Sequence, residues 1–389
     1  MLLAHKIELR PTPEQMVYLD KACGSKRHCF NQLLAHFSKP ENKWSKNEAY
    51  QHYINVIRKE FDWYNEVSSR VTRNAIDDLD NAFKHFFRRV KEGQKAGFPR
   101  FKKKDLNDSF ALRESAKFDV ISRELRIEKL KTKIEMRQPL RFQGVAKQVT
   151  ISKKAGKYFA SILVETNDYN PNDVNRQKSV GVDFGIKNLA TLSTGFQKAA
   201  NQKLKQNLEK LAKLQRNLAK KVKGSNRRAK AKLKIQKLHF RISKQRQAIL
   251  HELSDYLTKH FDVITIEDLN VKGMVKNRKL SRAISDAGFG YLRQMIEYKA
   301  KLRNCTVVIA DRFFPSSKQC SCCKKINHKL TLADRIFSCD GCGLVLDRDL
   351  NAALNLDEYG RDTLQPDLKN CTSEQSKTTN PFVASVLTV

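Results

Sequence analysis

The sequence predicts an α/β core preceded by a helical bundle and a small β-barrel or twisted sheet. Three observations support this. Helix signals crowd the first hundred residues, the hydrophobic period shifts toward two over residues 110–166, and beyond residue 179 short β-branched apolar runs alternate with helical stretches. With 389 residues the chain has room for two to four units of roughly 100 to 200 residues each. Its 75 Lys+Arg against 41 Asp+Glu leave a formal charge of +34. Charge that far from zero makes the free protein repel itself, so a polyanion is the natural partner. Nucleic acid is favoured over an anionic membrane, because the basic residues form no single juxtamembrane cluster. Apolar runs fall short of the ~18 residues a membrane helix needs. The start Met1-Leu2-Leu3-Ala4-His5-Lys6 is too short and too soon charged for a secretory signal. The expected location is the cytoplasm, with association to the nucleoid when on DNA.

Residues 3–10 alternate like a short strand, and Pro11-Thr12-Pro13-Glu14-Gln15 stops it and opens a helix. Thr12 with Gln15 makes a capping box and Pro13 suits a first turn. Gly24 is expected to close that helix, with further helices over 26–37, 46–61 (capped by Ser45 with Glu48) and 71–91. The bundle, 11–105, ends in Gly93-Gln94-Lys95-Ala96-Gly97-Phe98-Pro99-Arg100-Phe101-Lys102-Lys103-Lys104. There Phe98 and Phe101 alternate with Arg100, Lys102 and Lys103, which suits phosphate contact and base stacking; equally, the two rings could anchor a solvated loop. Residues 149–152 and 158–164 read as strands joined by a hairpin turn at Lys154-Ala155-Gly156-Lys157. The β region, 106–178, is expected to take in strand 1–10 as well. A polar linker, 167–177 with Pro171, leads to the second domain, which opens on the buried strand Ser179-Val180-Gly181-Val182-Asp183-Phe184-Gly185.

Residues 201–250 hold seventeen Lys+Arg and one acid, Glu209, so this window alone carries +16. Leu204, Leu208, Leu211, Leu218 and Val222 keep a four-three spacing, as do Ile235, Leu238, Ile242, Ile249 and Leu253, with Gly224-Ser225-Asn226 between. That is an antiparallel helical hairpin, 200–260, with one apolar seam. So many almost unopposed cations call for a counter-charge, and nucleic-acid contact at Arg227, Arg228 and Lys230 is expected ahead of a plain solvated face.

Five of the nine cysteines fall between Cys320 and Cys342. Cys320-x-x-Cys323, fifteen residues, then Cys339-x-x-Cys342 is the four-thiolate zinc pattern, each pair supplying two ligands from one turn. Four protein ligands fill the coordination sphere, so this zinc is structural. Cys322 fits worse than Cys323, Gly341 and Gly343 suit turns around a bound sulfur, and Lys318, Lys324 and Lys325 are expected to soften the charge of the centre. Residues 316–346 form this ribbon.

Three carboxylates come from separated elements. Asp183 shares its strand face with Gly181 and Gly185, which are expected to leave room for a ligand. Glu267 ends the strand 262–266, and Asp349 heads a short helix after the cysteines. Magnesium takes a few carboxylate oxygens and leaves positions for water and phosphate, and two such ions can serve phosphodiester cleavage. Singly each acid has a bland reading, as turn residue, surface acid or helix cap. Spacing does not decide between Glu267 and Asp268, or between Asp349 and Asp347.

The motifs Gly181-Val182-Asp183-Phe184-Gly185-Ile186-Lys187, Ile266-Glu267-Asp268-Leu269-Asn270 and Asp347-Arg348-Asp349-Leu350-Asn351-Ala352-Ala353 frame the cysteines of Ser317-Lys318-Gln319-Cys320-Ser321-Cys322-Cys323 and Phe337-Ser338-Cys339-Asp340-Gly341-Cys342-Gly343. In this the sequence resembles the TnpB family of transposon-encoded RNA-guided DNA nucleases, relatives of type V CRISPR effectors. The resemblance reaches to about Asn355. It implies an RNase H-like (RuvC-like) α/β nuclease domain, 179–315 and 347–360, with the zinc ribbon inserted. It also implies a helical recognition lobe, an oligonucleotide-binding-like barrel, and metal-binding acids at Asp183, Glu267 and Asp349. The tail, 361–389, has no counterpart and is expected to be loosely held.

The implied activity is magnesium-dependent cleavage of double-stranded DNA beside a short flanking motif, at a site chosen by pairing with a bound guide RNA. Delegating sequence choice to RNA suits a protein that need only hold backbones. The rivals are an RNase H-like strand-transfer transposase, which would join DNA ends, and a non-catalytic guided repressor, which would lack one or more acids.

Overall fold

The computed structural model describes residues 1–104, 108–167, 176–200, 203–331 and 333–364. It comprises two units, Met1–Tyr169 with Lys213–Phe240, and Asn170–Ala212 with Arg241–Val389. Residues 168–175 of the expected linker, the expected tail from 365 onward and the side chain of Leu204 lie outside the described residues. Among the described residues no helix is long and apolar enough to cross a membrane.

In the first unit Thr12 and Gln15 exchange the expected bonds, and the helix Pro13–Phe37 begins on Pro13. It does not stop at Gly24. Its first half packs Tyr18, Leu19, Ala22 and Cys23 into the core of the sheet, while Phe30, Leu33, Leu34 and Phe37 enter a second core with Tyr53, Ile76, Leu79 and Phe83. Burial on both sides outweighs the ~1 kcal/mol that a mid-helix glycine costs. The expected helix 46–61 is broken into Lys46–His52, a π-turn Tyr53–Ile57 and Arg58–Glu60, and Ser69–Lys91 follows.

The sheet of this unit is antiparallel, with strands β1 (Leu2–Arg10), β2 (Ser109–Leu112), β3 (Phe118–Ile121), β4 (Glu124–Ile127), β5 (Ile134–Met136), β6 (Val145–Lys154) and β7 (Lys157–Glu165). Their order is β2-β6-β7-β1-β5-β4-β3, so the first strand sits in the middle. Positive φ at Ala155 and Gly156 makes the β6–β7 turn. No ladder joins β2 to β3 among the described residues, so by its hydrogen bonds this is an open sheet and not a closed barrel.

The helices of the basic hairpin run Lys203–Ala219 and Asn226–His260. Leu211, Ile235, Leu238, Ile242 and Leu253 are buried as the spacing predicts, but Val222 falls in the connecting turn and is exposed.

The second unit is built on β8 (Gln177–Asp183), β9 (Asn188–Leu192), β10 (Gln197–Ala199), β11 (Phe261–Glu267) and β12 (Thr306–Ala310), ordered β10-β9-β8-β11-β12. β8, β9 and β10 form an antiparallel meander, whereas β8, β11 and β12 are parallel. Val180, Val182, Ile264 and Ile266 share a core with Leu250, Leu253 and Leu257 of the long helix and with Leu292, Met295 and Ile296 of the helix Phe289–Arg303. The final helix, Arg348–Leu364, lies against the residues that alternate with these. It runs past residue 360, where the ordered chain was expected to end.

Candidate active site and metal centre

β8 and β11 pair in parallel with Val182 opposite Ile266. The next residues, Asp183 and Glu267, therefore leave neighbouring strands side by side, where strands stand about 4.8 Å apart. Each is two residues beyond a partner on the same face, Gly181 or Thr265. The final helix seats on those two. A Cβ on Gly181 would lie 2.0 Å from the Ala353 carbonyl oxygen and 2.3 Å from the Asp357 amide nitrogen, and one on Gly360 would lie 1.8 Å from Thr265 Oγ1. A Cβ on Gly185 would lie 2.8 Å from the Asn188 carbonyl oxygen. The space beside Asp183 that the glycines were expected to leave for a ligand is thus filled by the chain itself. What Gly181 admits is a helix, whose first turn carries Asp349.

All three carboxylates are half-buried. Burial, then the negative charges of Glu267 and Asp349, pushes the Asp183 carboxyl well above the usual carboxylate range. Glu267 is also raised, first by burial and also by Asp349, against the pull of a 2.5 Å hydrogen bond donated by Ser316 Oγ. Asp349 pairs with Arg348 at 3.3 Å. Three acids facing one guanidinium leave negative charge that a hard cation would neutralise. The charges of Glu267 and Asp349 are felt at Asp183, and that of Asp349 at Glu267, so the three carboxylates share one locale, and an all-oxygen donor set of this kind fits hard divalent cations.

The neighbouring acids are committed elsewhere. Asp268 binds Arg293 at 2.8 Å and also Arg312, and these two arginines hold its carboxyl below the usual range. Asp347 is the cap of the final helix, accepting from the amides of Asp349 and Leu350 at 3.0 and 3.1 Å. The bland reading of Asp349 as a helix cap thus belongs to Asp347.

Cys320, Cys323, Cys339 and Cys342 gather into the compact cluster. Cys320 Sγ lies 3.6 Å from Cys342 Sγ, and Cys323 Sγ 3.4 Å from Cys339 Sγ. Four sulfurs ~2.3 Å from a shared tetrahedral ion stand ~3.8 Å apart, so the set fits zinc. Two matching turns make it. Lys324 N bonds the Cys320 carbonyl at 3.1 Å with Lys324 at φ 63°, and Gly343 N bonds the Cys339 carbonyl at 2.9 Å with Gly343 at φ 74°. Backbone amides of Cys342 and Gly341 draw the Cys339 thiol down toward its thiolate. Cys322 is exposed and outside the cluster. Lys324 pairs with Glu358 and Lys325 with Asp340, and the Lys325 stem lies beside Gly341 next to the sulfurs of Cys323 and Cys339.

Sequence reasoning missed the fastenings. Asn355 Nδ2 donates to the carbonyls of Ser316 and Gln319 at 2.8 and 2.7 Å, and Asn351 Nδ2 donates to Gln319 at 2.7 Å. Both asparagines are buried, so the helix that carries Asp349 is tied to the cysteine segment and to the loop that carries Ser316. The signal was present as two asparagines on the apolar side of an Asp-Leu-Asn-Ala-Ala-Leu-Asn helix.

The expected nucleic-acid residues lie in the first unit. Arg100, Phe101, Lys103, Arg227 and Lys230 are exposed. Phe98 is partly anchored by Phe83 and Phe86, with ring centroids 5.5 and 5.4 Å away. Lys102 turns inward, pairing with Asp78 at 3.0 Å and lying 3.9 Å from the centroid of the Phe30 ring. Arg228 closes the hairpin turn by donating to the carbonyls of Leu218 and Lys221 at 3.0 and 2.8 Å.

A family model described as "Probable transposase" matches residues 161–278, and "Cas12f1-like, TNB domain" matches 289–356. A "Helix-turn-helix domain" model matches 1–39, where the structure has β1 and one continuous helix. A "Putative RNA-guided DNA endonuclease" of Streptomyces pristinaespiralis is 35% identical over 365 residues, covering 91% of this chain and 88% of that protein. "Putative RNA-guided DNA endonuclease InsQ" of Escherichia coli (strain K12) is 31% identical over 376 residues, covering 91% of each. Among solved structures, the Cas12f1-sgRNA-target DNA complex aligns with a TM-score of 0.34 at 16% identity, over 92% of this chain and 99% of that one. The two family models and the relatives named as RNA-guided DNA endonucleases define the class as a transposase-type nuclease. Within that class the chain belongs to the TnpB family.

Proposed function

We propose that this chain is an RNA-guided endonuclease that cuts double-stranded DNA beside a short flanking motif at one RuvC-like centre formed by Asp183, Glu267 and Asp349. The observation that carries the reading is the delivery of three carboxylates, from two adjacent strand ends and one helix start, to a place where Glu267 and Asp349 raise the proton affinity of Asp183 and Asp349 raises that of Glu267. The order β10-β9-β8-β11-β12, three antiparallel strands followed by two parallel ones, supports the RNase H-like reading. The names of the two relatives above supply the class of reaction. The guide RNA and the target duplex answer the charge of +34.

Asp183, Glu267 and Asp349 would hold magnesium. When bound there, a pair of ions supplies an activated water and a stabilised leaving oxygen for phosphodiester hydrolysis. The chain's own part is to fix the acids: Ser316 orients Glu267, Arg348 orients Asp349, and the helix seated on Gly181 sets the distance to Asp183. The four cysteines would hold structural zinc. Exposed Arg100, Phe101, Lys103, Arg227 and Lys230 are the best placed of the expected nucleic-acid contacts.

The test is cleavage by protein carrying its copurified RNA. Asp183→Ala should abolish cutting of a matching duplex and leave RNA and DNA binding nearly intact, and RNase treatment of wild type should abolish it too. Cutting without RNA refutes the guided reading. The transposase description of the matched family favours strand transfer as a second reading, which predicts joined products from transposon-end DNA alone.

A further inference from the structure

The loop that follows β12 is fastened at nearly every residue but one. The Asp311 amide donates to the Tyr359 hydroxyl at 3.3 Å, and Asp311 Oδ1 accepts from the Phe313 amide at 2.8 Å. Arg312 is bound to Asp268. The Phe314 ring packs 4.8 Å from that of Tyr359, and Ser316 holds Glu267. The Phe313 side chain, whose amide is held by Asp311, has no such anchor of its own. Its ring is 88% exposed, more than any other large apolar side chain among the described residues. Leaving a phenylalanine in water forfeits its burial, and here the loop's own hydrogen bonds hold it in that position.

Its surroundings identify an occupant. Arg312 lines a cleft of about 390 Å³ together with Glu267, Asn270, Lys272, Arg293 and Gln294, so the residue beside the exposed ring shares a cleft with one of the three acids. Arg293 spends two nitrogens on Asp268 and Glu297, and Arg312 spends one on Asp268, which leaves further guanidinium donors on two residues that line the cleft. An aromatic face next to fixed guanidinium groups is the pairing that grips single-stranded nucleic acid, base on ring and phosphate on cation.

We propose that Phe313 is the stacking platform for an unpaired base of the DNA strand being cut, with Arg312 taking the adjoining phosphate, so that the strand is oriented into the Asp183, Glu267 and Asp349 centre. The proposal rests on the nuclease reading above and adds to it a binding site for unwound DNA. The rigid loop makes the platform a positioning device, because the same segment holds both the ring and, through Ser316, one of the acids.

The test uses the full-length chain with its copurified RNA and a matching DNA, cut in single turnover. Phe313→Ala and Phe313→Leu should slow cleavage about tenfold to a hundredfold, the range that loss of one base stack produces, and Phe313→Trp should restore it. An abasic nucleotide walked through the cut strand should slow wild type at one position near the cut and have no further effect there on Phe313→Ala. Wild-type rates for Phe313→Ala or Phe313→Leu, or abasic profiles that match in the two proteins, overturn the proposal. Asp183→Ala, run in parallel, separates the two failures. If it still cuts, the nuclease reading is wrong; if it is dead while Phe313→Ala is unimpaired, only the stacking is wrong.

Discussion

Gly181→Ala should disable the centre without touching a single acid. The new methyl would sit 2.0 Å from the Ala353 carbonyl oxygen and 2.3 Å from the Asp357 amide nitrogen, both backbone atoms of the final helix. Ordinary contact begins near ~3.4 Å, so the helix must retreat by about 1.4 Å or the strand must buckle. Overpacking of this kind costs about 1–3 kcal/mol. The retreating helix carries Asp349, and a misplacement of ~1 Å in a reacting group can cost about a hundredfold in rate. Single-turnover cleavage of a matching duplex by the RNA-loaded variant should therefore fall by about that factor, with a lowered melting temperature and with RNA and zinc retained. A variant that cuts at the wild-type rate would show that the helix does not set the distance between Asp349 and Asp183.

The remaining predictions follow from other parts of the structure. The Asp183 carboxyl has a folded pKa raised by burial and by its two acidic neighbours. A carboxyl so raised costs stability as pH climbs from its unfolded value through its folded one, and the cost stays in force above that. In magnesium-free buffer Asp183→Asn should therefore melt higher than wild type at neutral pH and show no such gain below about pH 4, as read by calorimetry. Magnesium at ten times its dissociation constant should stabilise wild type by about 1.4 kcal/mol and the variant by less. Cys320→Ser or Cys339→Ser should release zinc, measured by metal analysis, and lower the melting temperature, because binding energy at such a centre is folding energy. Cys322→Ser should do neither. Arg100→Ala should weaken nucleic-acid binding and flatten its log–log salt dependence by about one unit, with stability unchanged. Lys102→Met should instead lower stability, since its charge is spent on Asp78 and Phe30.

What the sequence made legible was local or marked by spacing. Thr12 and Gln15 make their capping box within four residues, and the two cysteine pairs declare their turns. Gly24 misled because a glycine's cost is visible in the sequence while the two cores on either side of it are not. Gly181 misled in the opposite sense: an empty place beside an acid is visible, but the helix that fills it begins more than 160 residues later. Glu267 and Asp268 could not be told apart because they leave a strand end in different directions, and only the tertiary fold shows Arg293 and Arg312 claiming the second. Asp347 and Asp349 differ in the same way, one spent on the helix amides and the other facing the sheet. Phe313 left no pattern at all, since a lone exposed ring has no period.

The central claim is that Asp183, Glu267 and Asp349 share divalent ions. Anomalous diffraction from crystals of the RNA- and DNA-bound chain grown with manganese tests it most directly, because manganese takes the same oxygen ligands as magnesium. The account predicts manganese peaks among the three carboxylates in wild type and their loss in Asp183→Ala. Ordered DNA at the centre with no metal peak beside these acids, or peaks undiminished by Asp183→Ala, would contradict it.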